Sequence, residues 1–214
     1  GAIGSIVAGY PLGLLAPGDA RLSATAAFLL DFCSVQDAFF QDMVHSGINA
    51  YLTLHLAQVL LRAGDPRHAD GMRAVARLAT PTGQWPEAIH PRTGGGCMGD
   101  GQHVWAAAEW VMMLRNLFVR EEAGGLVLAS GLLGEWLTPG AELSFGPAPT
   151  PYGAVTVRVA VEPDEAEVSW DAAGEVRVPS VRVALPRHET REVTAPGTRS
   201  VRVRRLPAEQ NPGT

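Results

Sequence analysis

The stretch HVWAAAEWVMMLRNLFVREEAGGLVLAS, residues 103–130, decides the fold class because its residue pattern changes within it. Up to Glu121, apolar residues recur at the spacing of helical turns and cover most of the surface of the predicted helix. From Gly124 and Gly125 onward the period falls to two, and β-branched residues become frequent. Helices therefore precede this point and strands follow it, which predicts an α+β protein with segregated halves.

The region before residue 103 carries further helical signals. Residues 19–33 are rich in alanine and leucine after a potential N-cap at Asp19. A second helix is predicted from Ser46, which suits an N-cap, to Gly64, and a third from about Pro66 to Leu78. The helix in the deciding stretch is expected to start after Asp100 and to continue to Glu121.

The region after Gly125 alternates valine with polar residues, as expected of strands with one buried face and one wet face. Turn signals separate these strands at short intervals, which favours a small antiparallel β-sandwich. The predicted strands span residues 126–129, 142–145, 154–161, 166–170, 180–185 and 200–204.

Composition excludes several classes of protein. The 214 residues carry a net charge of −5 and no basic cluster, so we expect no nucleic-acid partner. No stretch is long and apolar enough to cross a bilayer, so no membrane partner is expected either. The two cysteines lie in unrelated contexts and imply no disulfide framework.

The most unusual segment is GQWPEAIHPRTGGGCMGDGQH, residues 83–103, a long polar loop of the kind that is commonly functional. It places Glu87 directly after Trp85 and Pro86. A carboxylate beside an aromatic ring suits sugar chemistry, because the ring offers a flat apolar face and the acid can deprotonate water. The loop also contains the polar residues His90, Arg92, Asp100 and His103.

Structural interpretations of the same residues stay open. Trp85 can fill the core, and Glu87 can cap a turn or pair with Arg92. Asp100 stands where the N-cap of the following helix belongs. His45 and His55 are interpreted as structural residues.

The sequence gives weaker support for two other kinds of site, a phosphate-binding loop and a zinc site. The segment TGGGCMGDG, residues 93–101, is glycine-rich before a helix but lacks the Gly-Lys-Ser/Thr ending of a phosphate loop. His90, Cys97 and His103 match no familiar zinc spacing. We therefore expect no metal and no cofactor.

With these residues in hand, the sequence resembles the six-hairpin glycosidases, which are (α/α)6 toroid enzymes that include glucoamylase-like and glucosidase families. The specific feature is Pro86-Glu87, followed by Pro91-Arg92-Thr93-Gly94 and then by a tryptophan-containing helix, since a loop of this kind carries the general base in the family. The similarity extends over residues 45–57, 83–110, 114–122 and 142–159.

The resemblance implies inverting hydrolysis of an α-glucosidic bond with Glu87 as the catalytic base. It implies that Trp85, His90, Asp100 and His103 bind the carbohydrate substrate or shape the loop. A complete toroid has twelve helices, so residues 1–123 are expected to be only its C-terminal hairpins, followed by the β-sandwich over 124–206 and a disordered tail over 207–214. The general acid is then expected on a missing N-terminal part of the same enzyme, and the isolated chain is expected to be inactive.

Two alternatives remain beside the hydrolase. A glycoside phosphorylase on the same toroid would use phosphate in place of water and would need no carboxylate base. A non-catalytic carbohydrate-binding module would stack sugar on Trp85 and Trp105, and Glu87 would then only form hydrogen bonds.

Overall fold

The computed structural model describes residues 1–43, 46–99, 101–122, 124–173, 180–194 and 197–207. The chain divides into two compact units, Gly1–Leu114 and Arg115–Thr214, which we call the N-terminal and C-terminal units. The helix over residues 104–118 contains the boundary between the units, and each unit is described by itself.

The part of the chain that the structure describes contains five α-helices. The helices over residues 20–32 and 68–77 begin and end within two residues of the predicted 19–33 and 66–78. The helix over residues 50–63 ends directly before Gly64, as predicted. None of the described helices is both long enough and apolar enough to span a lipid bilayer. The helices are α1 (Ala2–Ser5), α2 (Ala20–Phe32), α3 (Ala50–Ala63), α4 (His68–Arg77) and α5 (Val104–Phe118).

Helix caps explain where α2 and α3 start. The Asp19 carboxylate accepts a hydrogen bond from the backbone N–H of Arg21, which confirms the predicted cap of α2. The expected cap of α3 at Ser46 is wrong, because residues 47 and 48 belong to a strand. Asn49 caps α3 instead, and its side-chain oxygen accepts from the N–H of Leu52 at 3.0 Å.

Short strands link the helices of the N-terminal unit into one five-stranded sheet. Its order follows the chain, and each neighbouring pair is antiparallel. The strands are β1 (Ser34–Val35), β2 (Ala38–Gln41), β3 (Gly47–Ile48), β4 (Ala88–Ile89) and β5 (Gly96–Met98). The expected partial (α/α)6 helical toroid is therefore wrong: the described elements form a mixed α+β arrangement, since the segments expected to be plain interhelical loops pair into a sheet.

A hydrophobic core joins α2, α3 and the sheet. Its members are apolar residues with 6% exposure or less: Ile6, Leu22, Ala26, Leu29, Phe39, Leu56, Val59 and Leu60. The N-terminus of α3 is fixed to β2 by two bonds, from the Asn49 N–H to the Phe39 carbonyl and from the Phe39 N–H to the Thr53 hydroxyl. The start of α3 is consequently held by the sheet.

The C-terminal unit contains two four-stranded sheets, in the orders β13-β10-β9-β8 and β12-β11-β7-β6. Each of the six predicted strands coincides with an observed one. The strands are β6 (Val119–Glu122), β7 (Gly125–Leu128), β8 (Glu142–Thr150), β9 (Gly153–Val161), β10 (Glu165–Ala173), β11 (Val181–Val183), β12 (Arg191–Val193) and β13 (Ser200–Arg204).

Alternation of valine with polar residues sets the buried face of β9. Val155, Val157, Val159 and Val161 are all buried, whereas Arg158 between them is exposed. Trp170 on β10 pairs with Val157 and is also buried. The period-two pattern therefore identified the core of this sheet correctly.

Two expectations for the C-terminal unit need correction. The helix α5 ends at Phe118 rather than at Glu121, because residues 119–122 pair with 125–128 as a hairpin. The arrangement is also not purely antiparallel, since β7 and β11 run parallel. The tail expected over 207–214 lies, apart from Pro207, outside the described residues.

Candidate functional site

Glu87 lies in the N-terminal unit directly before β4, which pairs with β3 on one side and β5 on the other. Its backbone is fixed by the cap residue of α3, because the Asn49 amide donates to the Glu87 carbonyl at 3.1 Å. One buried side chain thus holds both the start of α3 and the backbone of Glu87. Glu87 itself is partly exposed.

The glycines of the loop allow β5 and its following turn to approach Pro86 and Glu87 closely. A Cβ added to Gly96 would lie 2.9 Å from the Cβ of Pro86. A Cβ added to Gly99, whose φ is +79°, would lie 3.2 Å from the Cβ of Glu87. The glycine-rich segment therefore has a packing role against the Pro86-Glu87 pair, which accounts for its composition without a phosphate ligand.

This packing predicts different outcomes for two neighbouring glycines. Gly99→Ala and Gly101→Ala both place a side chain at positive φ, which costs about 1–3 kcal/mol, but nothing lies within 4 Å of the Gly101 Cβ position. We expect Gly99→Ala to be the more destabilising variant and the only one that shifts the backbone amide resonance of Glu87. Urea denaturation and ¹H–¹⁵N spectra measure both effects. Equal stabilities with an unmoved Glu87 resonance would show that the close approach is unimportant.

Tyr51 and Trp105 form an aromatic pair, which we call the platform. Tyr51 lies in the first turn of α3 and Trp105 in the first turn of α5, and their ring centroids are 4.3 Å apart at an interplanar angle of 24°. Trp105 is 51% exposed although it is a large apolar residue. An exposed, stacked indole is a suitable surface for the apolar face of a ligand.

Electrostatics connects Glu87 to the platform. Burial raises the pKa of the Tyr51 phenol, the negative charge of Glu87 raises it further, and a hydrogen bond with the Asn49 side chain opposes both. Among the residues that the structure describes, none forms a hydrogen bond or an ion pair with the Glu87 carboxylate. The charge of Glu87 thus acts on Tyr51, and no described residue occupies the hydrogen-bonding capacity of its carboxylate.

His103 belongs to the same cluster. Its ring centroid lies 5.0 Å from that of Tyr51 and 6.4 Å from that of Trp105. Its backbone N–H donates to the Trp85 carbonyl at 2.8 Å, which anchors the start of α5 to the loop that carries Glu87. Of the predicted substrate-binding residues, His103 is the one that the structure brings to the platform.

The other predicted substrate-binding residues that the structure describes have structural contacts. Trp85 is 4% exposed and donates its indole N–H to the Val75 carbonyl at 2.8 Å, so it is a core residue with no ring face open to a ligand. The His90 ring accepts from the backbone N–H groups of Arg92 and Thr93 and thereby shapes the loop. Asp100 lies outside the described residues, and α5 begins four residues later.

Sequence reasoning missed a pair of residues beneath the platform. His55 Nε2 lies 3.0 Å from Glu109 Oε1, and both side chains are largely buried. The His55 ring also contacts Tyr51, Trp105 and Tyr10 edge-on. A signal was present, because Tyr51 and His55, like Trp105 and Glu109, are four residues apart and therefore share a helix face. His45, interpreted together with His55, lies outside the described residues.

Metal coordination finds no support in this geometry. No three His, Cys, Asp or Glu side chains within the described ranges lie close enough together to hold an ion. Cys97 is exposed, and its thiol contacts the Ser46 carbonyl.

Comparison with known proteins adds no relative. A scan against models of protein families found no match, and a search of curated proteins found no significant similarity. A function is therefore inferred from the residues around the platform and from the resemblance to six-hairpin glycosidases.

Proposed function

We propose that this chain contributes a carbohydrate site to an inverting glycoside hydrolase that acts on α-glucosidic bonds, with Glu87 as the general base. The observation that carries the proposal is the Glu87 carboxylate, whose charge acts on Tyr51 of the Tyr51–Trp105 platform and which has no hydrogen-bond or ion-pair partner among the described residues.

The chemistry follows from the two parts of the site. A pyranose ring has an apolar C–H face that packs on an aromatic surface, and its hydroxyls then point sideways to polar groups. The Glu87 carboxylate accepts a proton from a water molecule as that water attacks the anomeric carbon. Inversion also requires an acid roughly 6.5–9.5 Å from the base, and we place that acid on an N-terminal part of the same enzyme.

A groove beside the platform gives room for a substrate longer than one sugar. Its volume is about 540 Å³, and Tyr51 forms part of its wall. Phe28 and Phe32, whose rings contact each other, line the same groove and are exposed. The platform residue Tyr51 therefore borders both the exposed indole and this groove, which favours an oligosaccharide over a monosaccharide.

The experiment is a calorimetric titration of this chain with maltotriose, cellotriose and xylotriose. We expect maltotriose to bind best and Trp105→Ala to weaken that binding about tenfold, since the lost stacking is worth about 1.4 kcal/mol. Val104→Ala is the matched control, because Val104 is the neighbouring residue on α5 and is 78% exposed. It should leave the affinity unchanged.

The titrations also distinguish the proposed sugar site from its alternatives. If none of the three saccharides binds, or if both variants bind as the unaltered chain does, the platform is not a sugar site. Binding that depends on Trp105, in a full-length enzyme that hydrolyses no α-glucoside, would replace the hydrolase with a non-catalytic carbohydrate-binding module.

A further inference from the structure

Backbone hydrogen bonds link the two sheets of the C-terminal unit. The segment between β11 and β12 belongs to one sheet, and β13 is an edge strand of the other. The Glu189 N–H donates to the Arg204 carbonyl at 2.9 Å, and the Leu206 N–H donates to the Arg187 carbonyl at 2.8 Å. His188 lies between these two bonds and forms a β-bridge with residue 205. We call residues 186–189 and 204–206 the clasp.

His188 is enclosed in the clasp. It is 5% exposed, and its Nδ1 lies 2.8 Å from the Pro186 carbonyl oxygen, so Nδ1 carries a proton and donates it to that oxygen. Nε2 then holds a lone pair, and it has no hydrogen-bond partner in the described part of the chain. A proton added to Nε2 would be buried without an acceptor, which is unfavourable.

The charges around the His188 ring also oppose its protonation. Burial lowers the pKa of the imidazole, the hydrogen bond to the Pro186 carbonyl raises it, and the positive charges of Arg205 and Arg187 lower it. The Arg205 guanidinium is held in place, because it donates to the Leu137 carbonyl at 2.9 Å. A protonated His188 would therefore be a third cation in the clasp.

The carboxylates of the adjoining segments do not offset these cations. The Glu189 carboxylate pairs with Arg191 at 2.9 Å. Asp164, in the turn before β10, accepts the Arg205 backbone N–H through its carbonyl oxygen and is itself exposed.

The backbone of the clasp is strained as well. Arg187 has a φ of +61°, in the left-handed region that non-glycine residues rarely adopt. Strain of this kind persists only while the surrounding contacts hold it. Opening of the clasp would release this strain, so a small change in charge can shift the balance between the closed and open forms.

We propose that the clasp is an acid-sensitive switch: when His188 Nε2 takes up a proton from water, the bonds between residues 186–189 and 204–206 open and the end of β13 is released from the other sheet. His188 is the sensor, and Arg187 and Arg205 make it responsive because they repel the added charge. This inference is independent of the proposed function.

The direction of the pH dependence follows from the two forms of the clasp. In the open clasp His188 meets water, and its pKa returns to about 6.5. In the closed clasp its pKa is lower, so the closed form binds fewer protons than the open form. The clasp is therefore fully stable above about pH 6.5 and loses stability as the pH falls below it.

The first test measures amide hydrogen exchange in the unaltered chain at pH 7.5 and 5.5, corrected for the intrinsic rate at each pH. We expect the protection of the Glu189 and Leu206 amides to fall by up to about tenfold at pH 5.5, one unit below the open-form pKa. Val159, within β9, is the internal control and should keep its protection. Unchanged protection of the two clasp amides, or an equal fall at Val159, overturns the inference.

The second test replaces the sensor. His188→Asn keeps an N–H that can donate to the Pro186 carbonyl but does not titrate, so both clasp amides should be equally protected at the two pH values. His90→Gln is the matched control, because His90 is an exposed histidine of the N-terminal unit, and it should retain the full fall. A full fall in His188→Asn would show that another group senses the acid and would overturn the inference.

Arg187→Gly gives an answer if His188→Asn does not fold. Glycine tolerates a φ of +61°, and the substitution removes one of the two cations beside His188. The fall in protection at pH 5.5 should then be smaller than in the unaltered chain. A fall of the same size would contradict the electrostatic cause.

Discussion

Under the proposed function, Glu87→Gln in the longer enzyme that this proposal requires is expected to lower kcat for maltose and maltotriose hydrolysis by about 10²- to 10⁴-fold. The amide keeps the size of the side chain and its ability to accept a hydrogen bond from a sugar hydroxyl, but it cannot take a proton from water. KM should therefore change little. Steady-state kinetics of both substrates measure the two constants separately.

The matched control is Glu162→Gln, because Glu162 is an exposed carboxylate of the C-terminal unit. It should leave kcat unchanged. The anomeric form of the first product gives an independent check, since inversion releases β-glucose from an α-glucoside. Unchanged hydrolysis by Glu87→Gln would contradict the role of Glu87. Turnover that requires inorganic phosphate and tolerates Glu87→Gln would identify a phosphorylase instead.

The largest stability effect is expected in the C-terminal unit, at the pair formed by Arg120 and Glu122. Arg120 Nε donates to Glu122 Oε1 at 2.7 Å, a second guanidinium nitrogen donates to the Ser130 hydroxyl, and the two ionic side chains are 8% and 10% exposed. Arg120→Met would leave the buried Glu122 carboxylate without this cation. We expect the free energy of unfolding to fall by about 3–5 kcal/mol, measured by urea denaturation.

Two further variants test the cause. Arg120→Met combined with Glu122→Leu should recover much of the loss, because no buried charge then remains at the pair. Arg158→Met should cost no more than about 1 kcal/mol, since the Arg158–Asp171 pair has a similar distance of 2.6 Å but is exposed. A double variant as unstable as Arg120→Met alone would show that packing, rather than charge, dominates at this position.

Sequence patterns correctly predicted the structural elements that are determined by residues close together in the chain. Asp19 caps α2 because the acceptor and the N–H that it satisfies are two residues apart. The buried face of β9 follows from alternation within nine residues. The start of α3 at Asn49 and the end of α5 at Phe118 depend instead on pairing with other strands, and local periodicity carries no information about such partners.

The helical toroid was wrong for a similar reason. Strands of two to four residues, such as Ser34–Val35 and Ala88–Ile89, are too short to show a period, and their pairing connects segments up to about forty residues apart. The predicted helices were therefore assigned to an (α/α)6 toroid, although the segments between them form a β-sheet. In the C-terminal unit, β8, β9 and β10 have nine residues each and were predicted, whereas the short strands β6 and β12 were not.

The sequence identified candidate site residues in the polar loop, such as Glu87 and His103. It did not identify His55 and Glu109, which lie within helices. His103 lies beside the platform, and the charge of Glu87 acts on Tyr51. Trp85 was assigned to sugar binding by its chemistry, but its indole N–H found a backbone partner in the core. His55 and Glu109 face each other only because α3 and α5 approach in one particular register, which no local pattern specifies.

Stacking of a saccharide on Trp105 can be observed in the indole N–H resonances of the unaltered chain during titration with maltotriose. We expect the Trp105 indole signal to shift progressively to saturation and the buried Trp170 signal of the C-terminal unit to stay in place. A Trp105 signal that remains unmoved while maltotriose binds, or the absence of any change up to saturating sugar, would contradict it.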